Sequence, residues 1–393
     1  MRTIGTRAYG IRLPIISTGD DLVSVTAECL AEAVKSEGLT LDKNDVVGIT
    51  EAIVAKSQGN YATVADIAAD VNQKFGGEKV EAGIVFPILS RNRFLSILKG
   101  ISLGVSKLTV LLNYPSDEVG NPIIDPEVFY EIGGGMNDPI PADEFKKISD
   151  GYRHPFTNVD YISLYENVGN NIEVYLSKDP RDILKFTKNV IVGEIHRRFV
   201  TKRRLIKAGA ENVFTLSDIL SAPVGGGGYN EDYGVLGSNV MNETQLKLFP
   251  RDCKNFIEKF REKIEEKSGT APEILIYGDG AFKDPTAGIW ELADPVVSPA
   301  CTERLNGTPN ELKIKYVAES MFGDLTGDKK QEAITRMIKE KADIGGDADM
   351  SLGTTPRKYS DLIGSLCDLL SGSGDKGTPV ILIKGYFDNY AEE

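Results

Sequence analysis

Long apolar runs are missing from this sequence. No stretch of its 393 residues reaches the about 18 apolar positions that a membrane helix needs, and no apolar segment follows the basic N-terminus. The chain therefore reads as cytoplasmic, with no membrane partner. Histidine is scarce, with His154 and His196 the two present, which excludes a His-rich metal site. Any metal here is a hard cation on oxygen ligands, Mg or Mn in type. The four cysteines (Cys29, Cys253, Cys301, Cys367) lie far apart without paired metal-ligand spacing, so they read as reduced thiols. Positive charge is outweighed, 45 Lys and Arg against 58 Asp and Glu, and the formal charge of -13 opposes nucleic acid as a partner. There is no G-x-G-x-x-G after a strand, no complete P-loop and no G-x-S-x-G elbow.

What is present centres on Ile274-Leu275-Ile276-Tyr277-Gly278-Asp279-Gly280. A short apolar run bounded by Gly reads as a buried strand delivering Asp279 to its C-terminal end, where open sheets of this kind place ligands. The same three residues, Gly278-Asp279-Gly280, also suit a plain turn. Asp45 to Thr50 is a second buried strand, running into Glu51-Ala52-Ile53-Val54-Ala55-Lys56. From that position Lys56 is either a phosphate contact just past a strand end or a surface lysine. Lys107 to Asn113 is a third strand, leading to Asp117, Glu118 and Asn121. Asp117 and Asp279 at two strand exits are the carboxylates a Mg or Mn site would use.

Helices are expected from Asp20 and Asp21 to Gly38, with Leu22, Val25, Cys29, Ala33 and Val34 as the apolar face, and at Asn60 to Phe75, Arg91 to Gly100, Arg251 to Lys267, Glu332 to Lys341 and Tyr359 to Leu370. Between about Pro122 and Thr270 the texture changes. Strands near Tyr161 to Tyr165 and Ile172 to Tyr175, a helix near Asp179 to Lys188 and glycine-rich loops are expected there. Gly225-Gly226-Gly227-Gly228 reads as a mobile loop or a lid. The run Glu194-Ile195-His196-Arg197-Arg198-Phe199-Val200-Thr201-Lys202-Arg203-Arg204 is the one dense basic stretch. It suits a carboxylate-rich or phosphorylated ligand, or a solvated helix face. The end of the chain reads as helix, a polar loop Ser371 to Gly377 and a strand Thr378 to Gly385, an arrangement able to cover a ligand.

Four blocks in this order resemble the coenzyme F420-0:L-glutamate ligase family. They are Leu13-Pro14-Ile15-Ile16 with Gly19-Asp20-Asp21-Leu22, Asp45-Val46 through Lys56-Ser57-Gln58-Gly59, the strand ending at Asp279, and the terminal helix, glycine loop and strand. The resemblance covers roughly residues 1–120 and 270–390, leaving 121–269 as an inserted or diverged middle segment. It implies an α+β (mixed α/β) two-domain fold of layered sheets and helices, and a homodimer. It implies a GTP- and Mg- or Mn-dependent enzyme that joins glutamate to a carboxylate acceptor through an acyl phosphate. The acceptor would be a deazaflavin or a folate-like pterin. Carried over by position, Leu13, Pro14, Ile15 and Ile16 would touch the nucleotide, Lys56 its phosphates, Asn121 the nucleotide again, and Asp117 and Asp279 the metal.

The departures concern oxygen ligands. Glu51-Ala52 stands where the family has Ser-Thr, Gly280 where it has Thr, and Ser373 where it has a metal-binding Glu, with Asp375 the nearby substitute. Two other readings remain open: a ligand-binding protein that kept the fold and lost the chemistry, and an enzyme whose site lies in the middle segment around Arg197 to Arg204.

Overall fold

The computed structural model describes residues 3–77, 79–90, 94–132, 138–149, 153, 158–278, 282–283, 290–291, 298–340, 358–371 and 375–391. A five-stranded sheet has the order Arg7–Ile11, Val380–Lys384, Val46–Thr50, Glu273–Tyr277, Ala300–Cys301. The two central neighbours Val46–Thr50 and Glu273–Tyr277 run parallel, and the other pairs are antiparallel. These strands read as continuous apolar runs because both faces of the sheet are covered. Helices Leu22–Ser36 and Cys253–Ser268 close one face through Leu30, Val47, Phe260 and Ile276. Helix Tyr359–Leu370 closes the other through Val46, Leu275, Ile363 and Cys367.

A six-stranded sheet has the order Ile140–Pro141, Ile172–Ser177, Lys107–Asn113, Glu81–Val85, Asn189–Val192, Asn212–Thr215. Its first strand is antiparallel and the other five are parallel. Taken in chain order those five lie 3-2-1-4-5, a doubly wound arrangement that reverses direction between Glu81–Val85 and Asn189–Val192. Helices Val64–Phe75 and Phe94–Leu103 pack one face, with Ile67, Leu98, Ile84 and Val110 at the contact. The 3₁₀ turn Pro180–Lys185 and helix Arg198–Lys207 pack the other through Ile183, Leu205, Val85 and Val192.

The mixed helix-and-sheet class expected from sequence is the one observed. Segments 1–120 and 121–269 share a sheet: Glu81–Val85 and Lys107–Asn113 lie in it with Ile172–Ser177, Asn189–Val192 and Asn212–Thr215. Ile140–Pro141 pairs at the edge of the same layer. The expected strand at Tyr161 to Tyr165 is a helix, Tyr161–Glu166. Its β-prone composition is overridden by Asp160, whose carboxylate accepts from Ser163 N at 2.9 Å, and by burial of Tyr161, Ile162 and Tyr165 on one helical face. The helix expected from Asn60 starts at Val64, since Tyr61–Thr63 pairs as a short strand and Thr63 forms a capping box with Asp66.

Two buried ion pairs tie distant parts of the chain together. Lys384 Nζ donates to Thr40 O at 2.6 Å, to Asp42 at 3.1 Å and to Asp45, whose carboxyl is pushed up by burial. Glu51 accepts from Lys247 Nζ at 3.1 Å, with both side chains at most a tenth exposed.

The loop Gly225–Gly228, expected to be mobile or a lid, is docked. Gly228 N donates to Tyr61 O at 2.6 Å, and a Cβ on Gly228 would sit 2.6 Å from Asn60 Oδ1, so only glycine approaches this closely. Asn60 holds the junction from full burial. Its Nδ2 donates to Tyr229 O at 2.9 Å and Phe249 O at 2.6 Å, and its Oδ1 accepts from Tyr229 N at 3.1 Å. Asn60→Ala removes the partner of Tyr229 N and Tyr229 O and leaves Phe249 O with Asn230 Nδ2 at 3.3 Å, and it should lower the unfolding free energy by about 2 kcal/mol. Urea unfolding checks this, and a loss below about 1 kcal/mol would mean that water replaces the amide.

Candidate functional site

The strand register gathers one edge of the five-stranded sheet. Ile11 pairs with Val380, Val380 with Ile49, and Tyr277 with Thr50, so three strands end and the fourth begins at the same edge. Each is followed or preceded by a segment singled out in the sequence. Leu13 N donates to Gly377 O at 3.3 Å, and Thr50 N and Tyr277 Oη both donate to Pro379 O, at 3.0 and 3.1 Å. Thr18 Oγ1 donates to Lys56 O at 3.1 Å, and Gly19 N to Ser57 O at 2.8 Å. The edge therefore brings together Leu13, Pro14, Ile15 and Ile16, the Lys56 turn, the Tyr277 exit and the segment beginning at Asp375.

Ile16 is buried beneath this segment while Ile15 is 89% exposed, an apolar side chain offered to solvent. Lys56 lies in the last turn of helix Glu51–Ser57, and among the described residues its ammonium has no hydrogen-bond or ion-pair partner. The exposed carboxylate of Asp375 is likewise uncommitted among them. Asp279 lies outside the described residues, as do Gly280 and Ser373; Gly278 is the last described position before it. The departure at Glu51 has a structural cause, because that carboxylate is held by Lys247.

Asp117 and Asn121 sit elsewhere, in the loop leaving Lys107–Asn113 of the six-stranded sheet. Asp117, expected as a metal ligand, is engaged within its own loop. Its oxygens accept from Leu89 N at 3.1 Å, Val119 N at 3.1 Å, Asn121 N at 2.8 Å and Asn121 Nδ2 at 2.9 Å. Burial pushes this carboxyl up, opposed by the hydrogen bonds from Asn121. A carboxylate with four N–H donors shapes its own loop. Asn121 lies in the same turn, donating through its N and Nδ2 to Asp117. Among the described residues no group of three Asp, Glu, His or Cys is placed to hold a metal ion.

A second constellation was not selected from the sequence. At the reversal point of the six-stranded sheet, the carboxylate of Glu118 accepts from the backbone N–H groups of Ile195, His196 at 3.1 Å and Arg197 at 3.2 Å, just ahead of helix Arg198–Lys207. Glu194 is buried alongside, bonded by Thr201 Oγ1, with Arg197 Nε 3.6 Å away. Burial pushes both carboxyls up. Gly193 admits the crossing of the two exits: a Cβ there would lie 2.9 Å from Pro87 Cα. The basic run is thus half architecture, its first backbone amides already neutralised by Glu118. The available signal was Val190-Ile191-Val192-Gly193, an apolar run closed by glycine immediately before the acid.

Among the described residues, one edge of this layered α+β protein thus gathers an uncommitted lysine, an uncommitted carboxylate and an exposed apolar side chain. The family model for F420-0:Gamma-glutamyl ligase matches residues 10–385, running through the middle segment as well as both ends. This chain belongs to that family, and the match supports a γ-glutamyl ligase of the F420 type, acting on glutamate and a small molecule. No curated protein matches the chain. No helix among the described residues is long and apolar enough to cross a membrane.

Proposed function

We propose that the chain is a nucleotide-dependent amide ligase that uses this sheet edge to activate a carboxylate acceptor and join it to L-glutamate. An acceptor carboxylate oxygen attacks the terminal phosphorus of GTP or a related nucleotide. The bond to the nucleoside diphosphate breaks, and an acyl phosphate results. The glutamate amine then attacks the acyl carbon, inorganic phosphate leaves with the C–O bond electrons, and the amine proton passes to solvent. Lys56 would hold phosphate oxygens as a point charge, a role supported by its having no partner to give up among the described residues. Leu13 to Ile16 provide an apolar wall beside it for the nucleotide. Asp375 and Asp279 are the carboxylates that would hold Mg or Mn, whose contribution is to neutralise phosphate charge.

The observation that carries this reading is the convergence of the Leu13, Lys56, Tyr277 and Gly377 segments on one edge. The saturated carboxylate of Asp117 favours a second reading, a retained fold that binds ligand without phosphoryl transfer. Thermal melts with GTP, ATP and GDP, each with and without Mn, separate the two. A ligand at hundredfold excess over its dissociation constant adds roughly 2.7 kcal/mol to stability. A metal-dependent stabilisation by one nucleotide, lost in Asp279→Asn, together with glutamate-dependent release of nucleoside diphosphate from a carboxylate-bearing deazaflavin or pterin, is the expected result. No stabilisation by any nucleotide would leave the retained-fold reading.

A further inference from the structure

Helix Glu51–Ser57, which carries Lys56, has only 7 residues, and a helix this short takes its position from tertiary contacts rather than from its own stability. Those contacts come from two sides. Thr18 Oγ1 donates to Lys56 O at 3.1 Å, and Gly19 N to Ser57 O at 2.8 Å. From the other side a single segment, Lys247 to Arg251, grips both ends of the helix. Lys247 holds Glu51 at the first residue, and Gln58, directly after the last, is bound by Arg251. The Gln58 side chain acts there as a second peptide group: Nε2 donates to Arg251 O and Oε1 accepts from Arg251 N, both at 2.7 Å. Arg251 Nη2 adds a bond to Gln58 O at 3.3 Å, and its guanidinium lies 5.2 Å from the Tyr229 ring centre.

Stability alone does not account for this pair. Gln58 is only half-buried, so water can take over both of its hydrogen bonds at small cost, whereas the buried staple of the same junction is Asn60. What the pair fixes is geometry. Two short bonds to one backbone residue set distance and orientation together, two positions from Lys56. The ammonium itself rides on a flexible four-carbon stem and meets no partner among the described residues, so the turn beneath it limits where it can go. A contact to phosphate depends on that placement, and an error of about 1 Å in a positioned group can cost on the order of 10²-fold.

We infer that Gln58 is a positioning residue of the nucleotide site: its paired hydrogen bonds to Arg251 set the turn from which Lys56 reaches phosphate. This rests on the ligase reading of the sheet edge. The probes are GTP and ATP with Mn, their dissociation constants measured by calorimetry on the full chain. Gln58→Ala should weaken the nucleotide that binds wild type by at least about fivefold. Gln58→Met keeps the length of the side chain without its hydrogen bonds and should behave alike. Lys56→Ala should also weaken binding, and Gln58→Ala added to Lys56→Ala should cost no more than about a further twofold, because the turn then has no ammonium to place. A role in folding alone would lower the melt equally in both backgrounds and leave nucleotide affinity unchanged. Wild-type affinity in Gln58→Ala, Gln58→Met or Lys56→Ala overturns the inference while nucleotide use itself stands. So does a further loss of about fivefold in the Lys56→Ala background, which would mean that Gln58 acts by another route. No nucleotide binding by wild type removes the ligase reading and the inference with it.

Discussion

Lys384→Ala should lower the unfolding free energy by about 3–5 kcal/mol, the usual cost of removing one partner from a buried ion pair. Lys384 ends the strand that lies between Arg7–Ile11 and Val46–Thr50, and its ammonium binds Thr40 O, Asp42 and Asp45 at once. Without it the Asp45 carboxylate stays buried with only Asp42 N, at 2.8 Å, to face it. The loss should depend on pH in a fixed direction. Burial already raises the Asp45 carboxyl above its unfolded value, so the folded state takes up protons more readily than the unfolded one, and stability falls as pH rises through the folded value. Removing the cation raises that carboxyl further, so acid should restore part of the lost stability. Urea unfolding of wild type and variant at pH 8 and pH 5 measures this. A deficit of equal size at both values would show that packing of the lysine stem, not the buried charge, carries the effect.

The five-stranded sheet was largely legible in the sequence because its strands are buried on both faces. Val46-Val47-Gly48-Ile49 and Ile274-Leu275-Ile276-Tyr277 are apolar runs bounded by breakers, and such runs have few other destinations. Helix Tyr359–Leu370 and strand Lys107–Asn113 have the expected bounds for the same reason. The doubly wound sheet was not legible. Two of its strands, Asn189–Val192 and Asn212–Thr215, are four residues each, too short to show a period, and one adjoins a basic run that reads as surface. Which strands share a sheet is decided by pairing across distant positions such as Val85 and Val192, and local pattern carries no record of that.

The site divides along the same line. Residues placed by strand ends, Leu13 to Ile16, Lys56 and Asp375, converge because strand ends are readable. The loop bonding of Asp117 was not legible, because an acid after a strand has the same signature whether it binds a cation or caps its own loop. The four N–H groups that decide the matter come from positions 89, 119 and 121, two of them supplied by Asn121. Glu118, one residue on, makes the long-range contact to Ile195 through Arg197. Its partner segment is about eighty residues away, beyond the reach of any local motif.

Lys56→Ala should reduce nucleotide-driven ligase turnover by about 10²- to 10³-fold in kcat/KM, the usual loss when one preorganised donor to developing oxyanion charge is removed. The melting behaviour should change little, within about 0.5 kcal/mol, because the ammonium has no partner among the described residues and the contact that fixes the turn, Thr18 Oγ1 to Lys56 O, uses the backbone. Lys56→Arg separates charge from shape. It keeps the cation on a longer, planar head, so partial activity with a raised KM for nucleotide is expected if phosphate is the ligand. The nucleotide-induced rise in melting temperature should shrink in parallel with turnover, since both depend on the same contact. Full turnover in Lys56→Ala would remove the lysine from the phosphate path. Nucleotide would then have to bind that edge without a protein cation, leaving phosphate charge to be met by metal alone.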